Sequence, residues 1–358
     1  MADISFICKR TAVSTKAVQP GKFHQLSVFD RAMESKHIKM IDREPGEMTK
    51  ILRERFAEML TSYPIVTGRS QRNEKGHWMI KCNDAGVRMA RTKGSVEEWL
   101  ENVDSEKQLK LAHWVEMFHL PYFWSTFYVQ FPITKSAKGG LAVGLSCTHL
   151  LSDPISATMF LKACADISLT GEMLKPPLFH PLPPRRPSNR DPNHNHHTQV
   201  VDFHKSSANN STTQSPVQHS TITLEFLESH GSGLLCKGPI QSPSPFEALA
   251  GLFWVNGEGL SEVKLSKAAM AIRNVLEKID IEAINDQIES LEQSDDQMLS
   301  LSNSRDLICA KLDYIDPYMA IFGRGMELMR ISCHIEPVSE NGQVLILPAP
   351  QGWGWSIQ

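Results

Sequence analysis

Apolar residues recur at helical spacing through residues 47–61, where Met48, Ile51, Leu52, Phe56 and Leu60 are separated by charged positions. The spacing predicts an amphipathic helix. Pro64 closes it, because the residue before a proline avoids the helical region. Residues 77–82 (HWMIKC), 123–131 (FWSTFYVQF) and 141–148 (LAVGLSCT) predict strands. In the last of these, Leu141, Val143, Leu145 and Cys147 share one face by the period of two. Residues 156–168 return to helix. Further on, 220–226 alternates as a strand, and 245–255 reads as a buried helix opening at a proline. Residues 265–293 carry the clearest amphipathic stripe, Leu265, Ala268, Ala269, Ile272, Leu276 and Ile279, which is read as core. Strands are predicted near 329–336 and 343–347. No internal repeat is found. The order of elements predicts an α/β (α+β) chain of mixed β-sheets flanked by helices.

The pattern stops between residues 174 and 219. That stretch holds seven prolines from Pro176 to Pro192, then polar clusters of Ser, Thr, Asn and His. Such a composition cannot bury a core, so it reads as a crossover linker. The expected division is therefore a first domain over 1–173, a linker over 174–219 and a second domain over 220–358. Within the linker, Asn193–His197 (NHNHH) raises the question of metal. No cysteine or spaced second histidine pair accompanies it, so a solvated loop is expected and no metal site.

Composition narrows the class. The chain has 358 residues, 41% hydrophobic and 22% charged, with a net charge of -3. That near balance gives no electrostatic footprint for nucleic acid. Seven scattered cysteines, never spaced C-x-x-C, read as reduced thiols. The N-terminal MADISFICKR lacks the apolar run of a signal peptide. No apolar stretch approaches the ~20 residues of a bilayer span. A cytoplasmic chain is expected, with peripheral contact to a membrane enzyme left open. Trp78, Trp99, Trp114, Trp124 and Trp254 are read as packing aromatics.

One constellation carries candidate chemistry: Cys147-Thr148-His149-Leu150-Leu151-Ser152-Asp153-Pro154. His149 directly follows an alternating strand, and Asp153 directly precedes a helix whose first turn suits Pro154. A histidine at a strand end can be held rigidly toward a cleft, where an imidazole serves as a general base. By spacing alone H-x-x-x-D is weak. It is read first as a capped turn, with Asp153 as N-cap and His149 as a satisfied side chain. Cys147 is expected to point away from His149, so no Cys–His nucleophile pair is expected.

The surroundings of this motif resemble the BAHD acyl-CoA-dependent acyltransferases of plants. LSVFDRAM (Leu26 to Met33) looks like that family's opening segment. SYPIVTGR (Ser62 to Arg69) and GHWMIKCNDAGV (Gly76 to Val87) look like its next passage. THLLSD matches its H-x-x-x-D motif, PFEALAGLFW (Pro245 to Trp254) its first C-terminal helix, and GQVLILPAP (Gly342 to Pro350) its late strand. The ordered set covers most of the chain and is closest in flavour to the eceriferum-like branch, linked to very-long-chain wax synthesis.

The resemblance implies two chloramphenicol-acetyltransferase-like domains joined by a long crossover loop and meeting at a tunnel. It implies a monomer with no bound cofactor, acyl-CoA as co-substrate and a small-molecule acceptor bearing a hydroxyl or amine. It makes His149 the general base and Asp153 a structural support of the catalytic loop. The eceriferum-like flavour implies an alternative, a non-catalytic accessory to a fatty-acid elongase condensing enzyme at the endoplasmic reticulum. The family's second motif, D-F-G-W-G, falls on Ile321, Phe322, Gly323, Arg324 and Gly325, with Ile for Asp and Arg for Trp. Pro154 stands where the first motif usually has glycine. Segments are expected to be missing near Met40 to Arg43 and between Trp254 and Leu265, the latter with an arginine partner for the motif Asp. The second domain is expected to be incomplete, since Gly352-Trp353-Gly354-Trp355 resembles no family ending.

Overall fold

A computed structural model describes residues 5–16, 21–27, 30, 37–44, 49–74, 78–94, 127–134, 140–149, 151–178, 224–227, 244–254, 262–279, 281, 284–285, 288, 308–312, 317–322, 332–335, 343–348 and 354–357. The chain divides into two compact units: Met1–Pro184 with Ile315–Glu336, and Arg185–Tyr314 with Pro337–Gln358. The compositional boundaries assign 315–336 to the second domain, whereas here it belongs to the first unit. Strand pairing is the reason.

In the first unit six strands form one sheet: β1 (Ser5–Ala12), β3 (His37–Glu44), β6 (Val87–Gly94), β7 (Phe127–Thr134), β8 (Gly140–Thr148) and β11 (Ser332–Ile335), in the order β1-β6-β7-β8-β3-β11. Only β6 and β7 run parallel. Residues 40–43 were expected to mark a lost strand. They instead sit inside β3, which pairs with β8 from His37↔Thr148 to Glu44↔Leu141. The charges at Lys39, Asp42, Arg43 and Glu44 weaken the apolar alternation there, but the ladder is made of backbone bonds and does not require it. The segment 332–335 completes the sheet by pairing antiparallel with the far side of β3.

Two helices, α1 (Thr49–Leu60) and α2 (Pro154–Thr170), pack together in this unit. Phe160 meets Phe56 and Tyr63 edge-on, at centroid distances of 6.0 and 5.1 Å, the geometry that ring quadrupoles favour. Nearly all of α2 from Ala157 to Ile167 is buried. The buried carboxylate of Asp166 is matched by Lys162 Nζ at 2.8 Å, as a desolvated charge requires. Gly171 ends the helix at φ +82°, donating its N–H to Ile167 O. A small antiparallel sheet, in the order β2 (Phe23–Gln25), β5 (Trp78–Lys81), β4 (Arg69–Arg72), belongs to the same unit.

The second unit has a four-stranded sheet of β10 (Ile308–Lys311), β12 (Gln343–Pro348), β13 (Gly354–Ile357) and β9 (Leu224–Leu227), in that spatial order. The ending that matches no family pattern is thus an interior strand, hydrogen-bonded on both sides. Helices α3 (Pro245–Trp254) and α4 (Glu262–Leu276) pack together, and Leu249 joins Val344 and Ile346 in the core. The stripe predicted over 265–293 is buried only at its start, Leu265 and Ala269. Leu276 and Ile279 are 45% and 54% exposed, not core. The helix ends there in i→i+3 turns, Lys278 N–H to Val275 O and Ile279 N–H to Leu276 O. That tightening breaks the 3.6-residue period on which the stripe depends. Residues 255–261 lie outside the described set.

Candidate active site

His149 lies one residue past the end of β8, half-buried in a turn. β8 is flanked by β7 and β3, and its residues from Val143 to Thr148 are all buried. The strand that presents His149 is therefore held by ladders on both sides and covered on both faces. The chain then reverses, with Leu151 N–H donating to Thr148 O at 3.3 Å, and the buried Ser152 hydroxyl donating to Asp153 O.

Asp153 has extended backbone (φ -78°, ψ 170°), and its Oδ1 accepts the Ser156 N–H at 2.6 Å. It is the N-cap of α2, and its own carbonyl accepts the first helical bond from Ala157. Pro154 is the first helical residue, where an N–H would have no intrahelical partner. Its replacement of the family's glycine is therefore compatible with the turn.

Cys147 is 1% exposed, and burial pushes its thiol up to about 12 despite a hydrogen bond with Ser152. A thiol so held has almost no thiolate at neutral pH and is no nucleophile. The expectation that Cys147 points away from His149 by strand alternation is mistaken in its geometry. Residues two apart share a face on a continuous strand. The strand ends at Thr148, so that rule does not carry over to His149.

Below this turn the segments that carried the family resemblance converge. Leu26 from LSVFDRAM, Ile65 from SYPIVTGR, and Ile80 and Cys82 from HWMIKC form one buried cluster. Leu151, from the middle of H-L-L-S-D, packs against it together with Trp78. Gly68 permits this approach: a Cβ there would lie 2.6 Å from Ile80 Cγ2 and from Lys81 O. Arg69 clamps the same region, donating Nη1 to Gly68 O and Gly86 O and Nη2 to Ala85 O at 2.7–2.8 Å. Ser27 and Asp30 bond each other's backbone N–H reciprocally just after Leu26. Sequence reasoning missed the role of Leu151. The only trace of it was the apolar pair Leu150-Leu151 between His149 and Ser152 in the motif.

For the second motif, Ile321 is half-buried and Phe322 is 1% exposed, following the 3-10 turn Pro317–Met319 that packs on α2. Gly323, Arg324 and Gly325 lie outside the described residues, as do Asn193–His197, Trp99, Trp114 and Trp124. Among the described residues no group of three or more His, Cys, Asp or Glu is placed to hold a metal ion. No described helix is long and apolar enough to cross a membrane.

Residues 7–255 match the Transferase family. The chain belongs to that family. It is the BAHD acyltransferase family that the motifs resemble, and the two-unit α/β architecture is its fold. Protein ECERIFERUM 26-like of Arabidopsis thaliana is 33% identical over 120 residues, 32% of this chain and 27% of that protein. Tryptamine hydroxycinnamoyltransferase 2 of Oryza sativa subsp. japonica is 30% identical over 152 residues, 40% of this chain and 34% of that protein. The matched region thus spans about a third or less of either relative. The crystal structure of vinorine synthase superposes with a TM-score of 0.69 at 14% identity, covering 99% of this chain and 94% of the other. At that identity the likeness speaks for the fold.

Proposed function

We propose that this member of the family transfers an acyl group from acyl-CoA to a hydroxyl or amine acceptor, with His149 as general base. The supporting observation is the placement of His149: half-buried, in a turn fixed at one end by a doubly paired strand and at the other by a helix cap. The neutral imidazole takes the proton of the acceptor as the acceptor heteroatom attacks the thioester carbonyl. The tetrahedral oxyanion collapses, the C–S bond breaks and CoA leaves as thiol with the proton returned from the imidazolium. General-base assistance of this kind is worth roughly 10²–10⁴-fold, and alignment of the two substrates adds to it. Asp153 supports the loop by capping α2 and takes no part in proton transfer. The chain acts as a cytoplasmic monomer and needs no bound cofactor.

The experiment is an assay of free CoA release with acetyl-, p-coumaroyl-, palmitoyl- and very-long-chain acyl-CoA, each with a hydroxyl and an amine acceptor. His149→Ala should lower release by roughly 10²–10⁴-fold. Equal release from wild type and variant would remove the general-base role.

A second reading is favoured by the ECERIFERUM 26-like relative and by Ile321 in place of an acid. Here the chain is a non-catalytic partner of a fatty-acid elongase condensing enzyme at the endoplasmic reticulum. Co-purification with such enzymes tests it, and a chain that releases CoA with acceptor-dependent turnover and binds none of them would end it.

A further inference from the structure

We infer that Leu151 is a positioning residue for His149: its seat among Leu26, Ile65, Ile80, Cys82 and Trp78 sets the turn that carries the imidazole. The inference rests on the proposed role of His149 and concerns how that residue is held.

Only five residues connect the last residue of β8, Thr148, to Pro154 at the start of α2. The two ends are fixed, by the β7 and β3 ladders and by the Asp153 cap. Within the turn Leu151 N–H donates to Thr148 O at 3.3 Å, just beyond the usual range for N–H···O, and the Ser152 hydroxyl donates to Asp153 O. Leu151 adds an apolar restraint to these bonds, packing against a cluster drawn from three separate segments of the chain. Two of those segments are tied together by pairing and hydrogen bonds. Ile80 is in the middle strand of the small sheet, Gly68 lets β5 close on the preceding loop, and Arg69 ties that loop to Ala85 and Gly86. Apolar packing at such a site is specific in shape, since a shortened side chain leaves a void into which the turn relaxes. His149 lies two residues from Leu151, so a shift of the turn moves the imidazole directly.

The test uses diethyl pyrocarbonate, which ethoxycarbonylates neutral imidazole, on the full chain. Mass spectrometry follows the peptide containing His149 from pH 5.5 to 8. Leu151→Ala should change the rate of His149 modification or its pH midpoint several-fold relative to wild type, and Leu151→Met should restore both. Leu161→Ala, which opens a cavity in α2 away from the turn, should leave them unchanged. If Leu151→Ala does not fold, Leu151→Val gives the same reading with a smaller void. A wild-type rate and midpoint in Leu151→Ala, or an equal change in Leu161→Ala, would overturn the inference. The readout needs no acyl donor, so it decides the positioning role even where CoA release fails and the general-base reading falls. Where release is found, Leu151→Ala should lower kcat on the order of tenfold or more with KM little changed.

Discussion

Asp153 Oδ1 lies 2.6 Å from the backbone nitrogen of Ser156. The acid of the H-x-x-x-D motif is thus engaged on the first turn of α2, and its contribution is to the helix end and to the turn before it. Asp153→Ala should lower unfolding stability by about 1 kcal/mol, while Asp153→Asn, an equally good cap, should retain most of it. Denaturant unfolding of the two variants measures this. In the CoA-release assay the asparagine variant should also stay nearer to wild type than the alanine variant. A ranking in which asparagine is as damaging as alanine in both measurements would show that the charge matters for another reason.

Arg69 holds two loops with a forked guanidinium that donates to Gly68 O, Gly86 O and Ala85 O. A lysine carries the same charge but not the fork. Arg69→Lys should therefore cost about 1.5–3 kcal/mol, the range for hydrogen bonds to a charged group. The shift in urea midpoint at unchanged slope is the measurement. A shift indistinguishable from zero would mean that water replaces the lost contacts.

Glu247 caps α3 reciprocally with Ser244 and receives Arg273 from α4, with Arg273 Nη2 2.6 Å from Oε2. Burial alone would raise its pKa, but the hydrogen bonds from Arg273 and Ser244 outweigh burial and hold it below the ordinary value. A carboxyl depressed on folding adds stability above its unfolded pKa and loses it as pH falls through the folded one. Glu247→Gln should therefore lower the melting temperature most at neutral pH. The gap from wild type should close as pH falls below about 4.5, the unperturbed carboxyl region. Melting curves from pH 7 to 3 test the trend, and a gap that widens on acidification would contradict it.

Cys147 neighbours the candidate base in sequence, yet burial keeps its thiol protonated, and Cys333 on β11 is likewise raised to about 12. Iodoacetamide at neutral pH should leave both unlabelled in the folded protein and label both after denaturation. Cys147→Ala should retain CoA release at a level far above that of His149→Ala. Rapid labelling of Cys147 in the native protein would reverse the assignment of an inert thiol.

Part of the first unit was legible from pattern. The helix at Thr49–Leu60 and the strand and helix on either side of His149 follow from period and capping chemistry carried by a dozen consecutive residues. The candidate site was legible to the same degree, because a strand, a turn and a capped helix are local. Strand β3 was not. Four charges in eight residues mask its alternation, and its evidence lies in backbone bonds to a segment a hundred residues away. Leu276 and Ile279 failed for the opposite reason: their periodicity is good, but Leu276 is the last residue of its helix and Ile279 lies beyond it, and both are exposed.

Element type, the order of the motifs and the position of His149 between a strand and a cap are properties of neighbouring residues, and the chain declares them by itself. Three things required the folded molecule. One is the return of 332–335 to the first sheet, another the use of 354–357 as an interior strand, and the third the meeting of Leu26, Ile65, Ile80 and Cys82 with Leu151 of the motif turn. Each is a contact between distant segments, and hydrophobic spacing says which face of an element is buried but not what buries it.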